Sequence, residues 1–433
     1  MKRSPKNLQI SFSGKSLTHF GGLYLLQKFF QKINLRSLLS QYLHFLQRNN
    51  RYTPAEEILT LIYPIALGLG RIETSHLLKH NGVFQYLTGL PPYPNPTTLR
   101  RFLLRMAPLA LPKLRKLHDR FLLLMIPKPS PPTRVIFDLD STVLTLYGKQ
   151  EMASVGYNPQ KRGRPSYHPL LCFNGITKDF WHGELRPGDT HTATGTIELL
   201  KASFGKLPPS VKIVIIRADK GFYDHQTIEY LESKKALFAI VAKLTGPVKR
   251  EIATLSYQVH SYGLETAEFM YQPTNWKRKY RFVVVRRLIP EDPTEQLTLF
   301  SMGKYSYQVI VTNMKLTPLN VWRFYNGRAA VEVIIKELKG DYPLGKIPTK
   351  YFAGNEAYFH TLLFSYNLIN WFKRLCLPTE FQNMTLRTLR SRLLLIPGEL
   401  IRSDNRPTLK LPANFLYKDI FESAIKMIHK FKP

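Results

Sequence analysis

A series of short apolar segments, separated by turns and by two helix-like stretches, constrains the fold of this chain more than any other feature. The first segment, Val135-Ile-Phe-Asp-Leu-Asp, has the continuous apolar character of a buried strand. The predicted order is strand, strand, strand, helix, strand, helix, strand, at residues 135–144, 170–176, 180–185, 192–204, 211–216, 225–234 and 237–243. This order predicts an α/β fold with a mixed sheet flanked by helices.

The charge of the chain indicates what it binds. There are 62 Lys and Arg residues against 30 Asp and Glu residues, a formal net charge of +32. A surplus of this size, spread along the whole chain, indicates a polyanionic partner, of which nucleic acid is the commonest. The two cysteines, Cys172 and Cys376, exclude a disulfide scaffold and a zinc ribbon, and they are typical of a reducing cytosol.

The apolar segments give no sign of export or of membrane insertion. The N-terminus, Met1-Lys-Arg-Ser-Pro-Lys, is basic, but no apolar stretch with a cleavage site follows it, so we predict no signal peptide. The longest apolar run, residues 58–69, contains Pro64 and is too short to cross a bilayer. We therefore expect an intracellular protein with no membrane contact.

The pattern divides the chain into a helical part and a sheet-containing part. Residues 22–126 show apolar residues at helical spacing, with helix starts at Thr53-Pro54 and Asn95-Pro96. Their basic faces fit an all-helical DNA-binding domain at residues 1–126, and a bundle with a merely solvated basic face fits equally well. The other predicted divisions are a linker at 127–133, the first part of the sheet domain at 134–243, a β-rich insertion at 244–314, the second part of the sheet domain at 315–395 and a basic region at 396–433.

Acids occur on the first predicted strand and directly after the fourth. Asp138 and Asp140 are two residues apart, so they face the same side of a strand. Burying a carboxylate there is costly unless a cation or hydrogen bonds compensate. Asp219 comes just past the carboxyl end of the strand at 211–216, where open α/β sheets hold their sites.

A third acid lies on a late helix. Residues 317–340 are predicted to form one helix, with Thr317 as its N-cap and Gly340 as its stop. Four polar residues share one face of this helix: Tyr325, Arg328, Glu332 and Lys339. An acid beside an aromatic ring and cations suits a metal ligand next to a phosphate backbone, although a solvated charged face accounts for the same pattern.

These acids suggest a reaction on nucleic acid. If the first and fourth strands are neighbours and the helix packs across them, Asp140, Asp219 and Glu332 converge. Their hard oxygen ligands suit Mg²⁺ or Mn²⁺, and the chain has no Cys/His set for zinc. Two such ions promote phosphodiester transfer by activating the attacking oxygen and stabilising the leaving one. DNA or RNA is then the expected substrate.

Two further stretches have the composition of a nucleic-acid surface. Asn275-Trp276-Lys-Arg-Lys-Tyr280 interleaves aromatic rings with cations, which suits stacking on an unpaired base and holding phosphates, and an ordinary aromatic hairpin is an equal alternative. The second stretch is a basic loop on the expected DNA side of the sheet, and a solvated loop is again as good an explanation. Its candidate residues are Lys161, Arg162, Arg164, Tyr167 and His168.

Over residues 130 to 375 the chain resembles bacterial insertion-sequence transposases of the DDE type, the cut-and-paste group with an RNase H-like catalytic domain. The spacing Tyr325-(2)-Arg328-(3)-Glu332-(6)-Lys339 matches the Y-R-E-K signature of that group without a gap. Asp140-Ser-Thr matches its first-Asp motif, and Ala218-Asp219-Lys-Gly-Phe-Tyr matches its second. Gly156-Tyr-Asn-Pro and Gly163-Arg-Pro-Ser-Tyr-His-Pro-Leu are also similar to that group.

The resemblance implies a role for each matching residue. Asp140, Asp219 and Glu332 would bind two Mg²⁺ or Mn²⁺ ions, with Asp138 in a supporting position beside Asp140. Tyr325, Arg328 and Lys339 would contact phosphates at the transposon end. In this group the ends are hydrolysed, in its best-known members through a DNA hairpin, and then joined to target DNA. Trp276 is then a candidate for stacking on a displaced base.

The resemblance also implies partners and a location. The expected partner is double-stranded DNA, both the terminal inverted repeats and the target, bound by a homodimer because two ends must be paired. The expected location is the bacterial cytoplasm, in association with the nucleoid. Two alternatives stay open: a catalytically inactive DNA-binding relative, and an RNase H-like nuclease or resolvase, which would need neither an end-specific N-terminal domain nor a β insertion.

Overall fold

The chain forms two compact units. The computed structural model describes residues 10–12, 14, 16–45, 51–127, 130–289, 301–302, 305–403 and 406–433. We call residues 1–102 with 371–433 the terminal unit and residues 103–370 the central unit. Lys128 and Pro129 of the predicted linker, and residues 290–300 of the predicted insertion, lie outside the described residues.

The N-terminal part of the chain is helical, as its pattern predicts. Thr53 begins one helix with a capping box, in which its side chain accepts from the Glu56 amide while Glu56 accepts from the Thr53 amide. The predicted helix starts at Pro54 and Pro96 are confirmed. The elements are β1 (Leu17–Thr18), α1 (Leu23–Lys32), α2 (Leu35–Tyr42), α3 (Pro54–Leu67), a 3₁₀ helix (Glu73–His80), α4 (Gly82–Thr88) and α5 (Pro96–Leu124).

The central unit alternates strands with helices. Its elements after α5 are β2 (Arg134–Ser141), β3 (Leu144–Thr145), β4 (Ser154–Val155), β5 (Pro165–Tyr167), β6 (Leu170–Asn174), β7 (Phe180–Glu184), α6 (Thr196–Phe204), β8 (Ile213–Ala218), a 3₁₀ turn (Lys220–Phe222), α7 (His225–Ser233), β9 (Leu237–Val241), α8 (Gly246–Thr254), β10 (Gln258–Ser261), β11 (Leu264–Tyr271), β12 (Tyr280–Leu288), β13 (Ser301–Met302), β14 (Tyr305–Thr312), α9 (Pro318–Asn326) and α10 (Ala329–Gly340).

Five strands form the core of the main sheet, in the order β7-β6-β2-β8-β9. β2 pairs antiparallel with β6 and parallel with β8, and β9 continues the parallel part. In chain order this is 3-2-1-4-5, the arrangement of an RNase H-like domain, so the predicted fold class is confirmed. The predicted adjacency of the first and fourth core strands is confirmed as well.

The strands of residues 244–314 extend this sheet. β14 pairs antiparallel with β9, with Ile310 opposite Val241, and β12, β11 and β10 follow outward in turn. Strands β11, β12 and β14 account for most of the β-rich character predicted for this segment, which also contains the short β10 and the helix α8. The segment is therefore hydrogen-bonded directly to the core of the main sheet.

The predicted single helix at 317–340 is two helices. Thr317 does precede the first helical residue, Pro318, but α9 ends at Asn326 and α10 begins at Ala329. The break falls at Gly327, which packs so closely on Arg217 that a Cβ on Gly327 would overlap the Arg217 Nη1 atom. The prediction of one helix was wrong: the two helices are separated at Gly327, a residue of low helix propensity that packs against Arg217.

The C-terminal part of the chain belongs mainly to the terminal unit. Its elements are α11 (Phe352–Cys376), α12 (Thr379–Gln382), α13 (Leu386–Leu389), a π-helical turn (Arg390–Leu394), β15 (Gly398–Ser403), β16 (Arg406–Lys410) and α14 (Lys418–Lys430). Arg390 is buried and donates from Nε to the Ala66 carbonyl (2.8 Å) and from Nη2 to the Ile65 carbonyl (3.0 Å), which satisfies the end of α3. No helix in the described part of the chain is long and apolar enough to cross a membrane.

Candidate active site

Two of the predicted acids lie side by side at the end of the sheet. Leu139 of β2 is in register with Ala218 of β8, so the next residue on each strand is an acid, Asp140 and Asp219. Asp140 is 7% exposed, and its Oδ1 accepts from the Ser141 amide at 2.8 Å. Asp219 caps the following 3₁₀ turn by accepting from the Gly221 amide at 2.8 Å.

Arg328 connects Asp140 to the third acid. Its Nη2 lies 3.1 Å from Asp140 Oδ2, and its Nη1 lies 3.1 Å from Glu332 Oε1. The Arg328 and Asp140 side chains are buried, whereas that of Glu332 is 67% exposed. The Arg328 Nε is buried without a hydrogen-bond partner. One guanidinium therefore holds two of the three carboxylates.

The three carboxylates share one electrostatic field. Burial raises the pKa of Asp140 to about 6, and the nearby Asp219 and Glu332 charges add to the rise, while Arg328 and the Ser141 amide oppose it. Burial also raises the pKa of Tyr325 to about 12, again with contributions from the three acids. Burial, more than repulsion between the acids, therefore raises the Asp140 pKa.

The donor set fits a hard divalent cation, because it consists of carboxylate oxygens. In the part of the chain that the structure describes, however, no three His, Cys, Asp or Glu side chains are grouped closely enough to hold a metal ion. Arg328 supplies positive charge between Asp140 and Glu332 instead.

The two other residues of the helical signature have different surroundings. Tyr325 is 7% exposed and packs in an apolar cluster with Ile136, Ile215 and Val321. Lys339 is exposed, and the partial burial of its ammonium lowers its pKa, an effect that Asp140 opposes. Lys339 is thus the member of the signature that presents a cation to solvent.

A groove of about 330 Å³ adjoins the acids, and Asp219, Lys339, Tyr157 and His168 are among the residues that line it. His168 is buried, with Nδ1 2.9 Å from the Thr190 carbonyl and Nε2 3.1 Å from Ser141 Oγ. Since a carbonyl only accepts, Nδ1 carries the proton and Nε2 accepts from Ser141. His168 therefore orients the residue that follows Asp140.

The predicted basic loop has an exposed part and a buried part. Lys161, Arg162 and Arg164 are exposed. Tyr167 is fully buried and donates from its hydroxyl to the Glu151 carbonyl at 2.7 Å. The three cations face solvent, whereas the Tyr167 ring belongs to the interior.

Trp276 lies in the turn between β11 and β12. Its ring is 5.2 Å from that of His225 at an interplanar angle of 28° and 5.1 Å from that of Tyr223 at 31°. Both of these residues follow Asp219 closely in the chain. The structure thus places Trp276 against the segment that carries the second acid.

Comparison with known proteins identifies the family of the chain. A family model described as "Transposase DDE domain group 1" matches residues 2–433, nearly the whole chain. The chain belongs to this family. It also matches a cryo-EM structure of the piggyBac transposase synaptic complex with hairpin DNA, with 14% identity, 88% of each chain covered and a TM-score of 0.42. No curated protein sequence matches it.

One residue near the site of this transposase has no counterpart in the sequence-based prediction. Arg217 of β8 is 5% exposed and binds Asp138 with two hydrogen bonds, Nε to Oδ1 at 2.6 Å and Nη2 to Oδ2 at 2.8 Å. A cation ending an apolar strand two residues before Asp219 was a signal for it, because Asp138 needs a buried partner. Burial raises the pKa of Asp138, and Arg217 opposes that rise.

Proposed function

We propose that this transposase cleaves DNA at the ends of an insertion sequence and joins those ends to target DNA. The observation that carries the proposal is the placement of the three motif acids: Asp140 on β2 lies beside Asp219, which directly follows the neighbouring parallel strand β8, and Arg328 binds both Asp140 and Glu332. The assignment of catalytic roles to these three residues is part of the proposal.

Asp140, Asp219 and Glu332 would hold two Mg²⁺ or Mn²⁺ ions. When bound, such ions supply an activated oxygen nucleophile and neutralise charge on the leaving oxygen. The protein's own contribution is to fix the acids. The strand pairing sets Asp140 beside Asp219, while α10 brings Glu332 to the same place.

The positive side chains around the acids would bind the DNA backbone. Lys339 lines the groove next to Asp219, and Lys161, Arg162 and Arg164 are exposed on the loop that precedes β5. Ammonium and guanidinium groups bind phosphate oxygens through charge-assisted hydrogen bonds. The resemblance implied that Tyr325 and Arg328 contact the end phosphates too, but both side chains are buried, so in the proposal Lys339 is the residue of the helical signature that contacts them. His168 and Tyr167 hold the loop in place.

A hairpin intermediate remains part of the proposal. It requires a base at the end to leave the double helix, and an aromatic ring next to the second acid would stabilise that base by stacking. Trp276 is the candidate because it lies against Tyr223 and His225. The partners would be the terminal inverted repeats and target DNA, bound by a homodimer at the bacterial nucleoid.

The deciding experiment is strand cleavage of a DNA fragment that carries the neighbouring element end, with Mg²⁺ present. We expect the wild type to give nicked or hairpinned ends, and Glu332→Ala to bind the same DNA but to lose the product by at least about 100-fold. Glu337→Ala is the matched control, because it removes the other acid of α10 and should cleave normally.

The possible outcomes separate the candidate functions. Equal binding without cleavage by the wild type and by Glu332→Ala would contradict the proposal and identify a DNA-binding relative. Cleavage without preference for the element end would identify a nuclease instead. Removing the divalent ion with a chelator should abolish the product, and Mn²⁺ should restore it.

A further inference from the structure

Arg217 contacts two other elements of the central unit, β2 and α9. Besides its two hydrogen bonds to Asp138 on β2, its Nη1 donates to the Phe324 carbonyl at 2.9 Å, near the end of α9. The guanidinium carbon also lies 5.1 Å from the centre of the Phe324 ring. Arg217 itself is on β8. One buried side chain thus joins the two acid-bearing strands to the helix that follows the insertion.

The same guanidinium sets the position of the helix break. A Cβ on Gly327 would overlap Arg217 Nη1, so only glycine allows the α9 end to approach this closely. The next residue is Arg328, which binds Asp140 and Glu332. A series of contacts therefore connects the sheet to Glu332: Arg217 packs against the α9–α10 junction, and Arg328, the next residue, binds Glu332.

The Asp138–Arg217 pair lies next to the acids along the two strands. Asp138 and Arg217 are opposite each other on β2 and β8, two residues before Asp140 and Asp219. Because strand side chains alternate, residues two apart lie on the same face. The pair is thus one step from the acids on the face that α9 and α10 cover.

We propose that Arg217 is a positioning residue: with Asp138, it fixes the α9–α10 junction on the sheet and thereby places Glu332 relative to Asp140 and Asp219. Its consequence for cleavage rests on the proposed function, whereas its effect on the junction does not. A buried ion pair alone would be weak support, because such pairs can often be replaced by apolar residues without loss. The third hydrogen bond, from Arg217 to the Phe324 carbonyl, links the ion pair to α9, and this link is what the positioning role rests on.

The first test follows the junction itself in the full-length, DNA-free protein. Arg217→Lys keeps the charge but loses the planar fork that binds Asp138 and the Phe324 carbonyl together. We expect hydrogen–deuterium exchange of residues 324–332 to accelerate by at least about 10-fold while β2 and β8 stay protected. The matched control is Arg286→Lys, since Arg286 makes a similar pair with Glu265 in the same sheet.

The second test asks whether the junction governs chemistry. In single-turnover cleavage, Arg217→Lys should be slower by about 10- to 100-fold, with the dissociation constant for the element end changed less than about 3-fold. Gly327→Ala disturbs the same contact from the other side and should slow cleavage similarly. Since both act through one contact, the double variant should be hardly slower than either single variant.

The following results would overturn the proposal that Arg217 is a positioning residue. Unchanged exchange at 324–332 in Arg217→Lys would overturn the proposal whatever the enzyme does. Faster exchange with a wild-type cleavage rate, or a loss no larger than in Arg286→Lys, would leave an ordinary structural pair and overturn it as well. If the wild type itself fails to cleave, the proposed function falls, and the exchange experiment still decides whether Arg217 fixes the junction.

Discussion

Arg328 makes it possible for Asp140 to be buried beside two other acids. Its guanidinium binds Asp140 and Glu332 and opposes the rise in the Asp140 pKa. The compensation is incomplete, because the Asp140 pKa still rises from 3.8 to about 6. At neutral pH the ion-free protein therefore holds a carboxylate that folding makes harder to ionise.

Because Arg328 compensates for only part of the effect of burial on Asp140, we predict that Asp140→Asn stabilises the ion-free protein. A folded-state pKa above the unfolded value means that the native state binds more protons between about pH 4 and pH 6, so stability is lost as the pH rises through that window. We expect Asp140→Asn to raise the free energy of unfolding at pH 7 by about 1–3 kcal/mol and to change it little at pH 4.

Urea unfolding at the two pH values measures the effect, with a chelator present to exclude divalent ions. Asp138→Asn is the contrasting variant: it removes the carboxylate that makes two hydrogen bonds to Arg217, whereas Arg328 keeps Glu332 when Asp140 is replaced, so Asp138→Asn should destabilise at pH 7. Destabilisation by Asp140→Asn at pH 7 would contradict the argument.

At the scale of elements, two glycines hold the loop before β5 against the loop after β7. A Cβ on Gly156 would overlap the Gly188 carbonyl oxygen, and one on Gly188 would overlap the Ser154 and Ser166 carbonyls. Asn158, two residues after Gly156, is buried and donates to Thr145 Oγ1 at 3.0 Å. This packing fixes the segment that carries Tyr157 and the basic residues.

We therefore expect Gly156→Ala to lower the free energy of unfolding by about 1–3 kcal/mol, because the backbone opposite must move. Gly345→Ala is the control, since no atom outside its immediate neighbours lies within 4 Å of a Cβ there. It should change stability by less than about 0.5 kcal/mol. Equal midpoints of thermal unfolding for the two variants would contradict the prediction, because they would show that the loop moves without loss of stability.

The sequence was sufficient to predict elements whose signals are local. Thr53 and Pro54 mark the start of α3, and the apolar runs mark β2, β6 and β8. The glycine at 327 was a local signal against one unbroken helix, but the sequence did not show that the break packs against Arg217, which lies 107 residues before Phe324. For the same reason the sequence suggested Asp138 as a supporting residue but did not reveal its partner.

For the molecule as a whole, three buried histidines make the central unit sensitive to acid. Burial lowers the pKa values of His118 (α5), His182 (β7) and His360 (α11), and the Lys206 charge lowers all three further. For His182 the pKa falls to about 2. Lys206 is itself paired with Asp119 at 2.7 Å and bonded to His182 Nδ1 at 3.0 Å.

Neutral histidines in the fold and charged ones in the unfolded chain cost stability as the pH falls below 6.5. The Nε2 of His360 is buried without a partner, so His360→Leu loses no hydrogen bond there. We expect the free energy of unfolding of His360→Leu, relative to that of the wild type, to rise by about 1–2 kcal/mol when the pH falls from 6.5 to 5. Denaturant unfolding at both pH values measures it, with the exposed His191→Ala as control. A difference in the free energy of unfolding between wild type and His360→Leu that is the same at both pH values would contradict the prediction.

The unbroken ladder from β7 to β10 also bears on how such proteins diversify. Strands β14, β12, β11 and β10 are added to the side of β9 and cover its hydrogen-bonding edge. A relative that discarded this excursion would expose that edge as a template for another chain. The segment is therefore part of the sheet, and a shorter version would have to protect the β9 edge in another way, with a strand of its own, charged side chains or a covering loop.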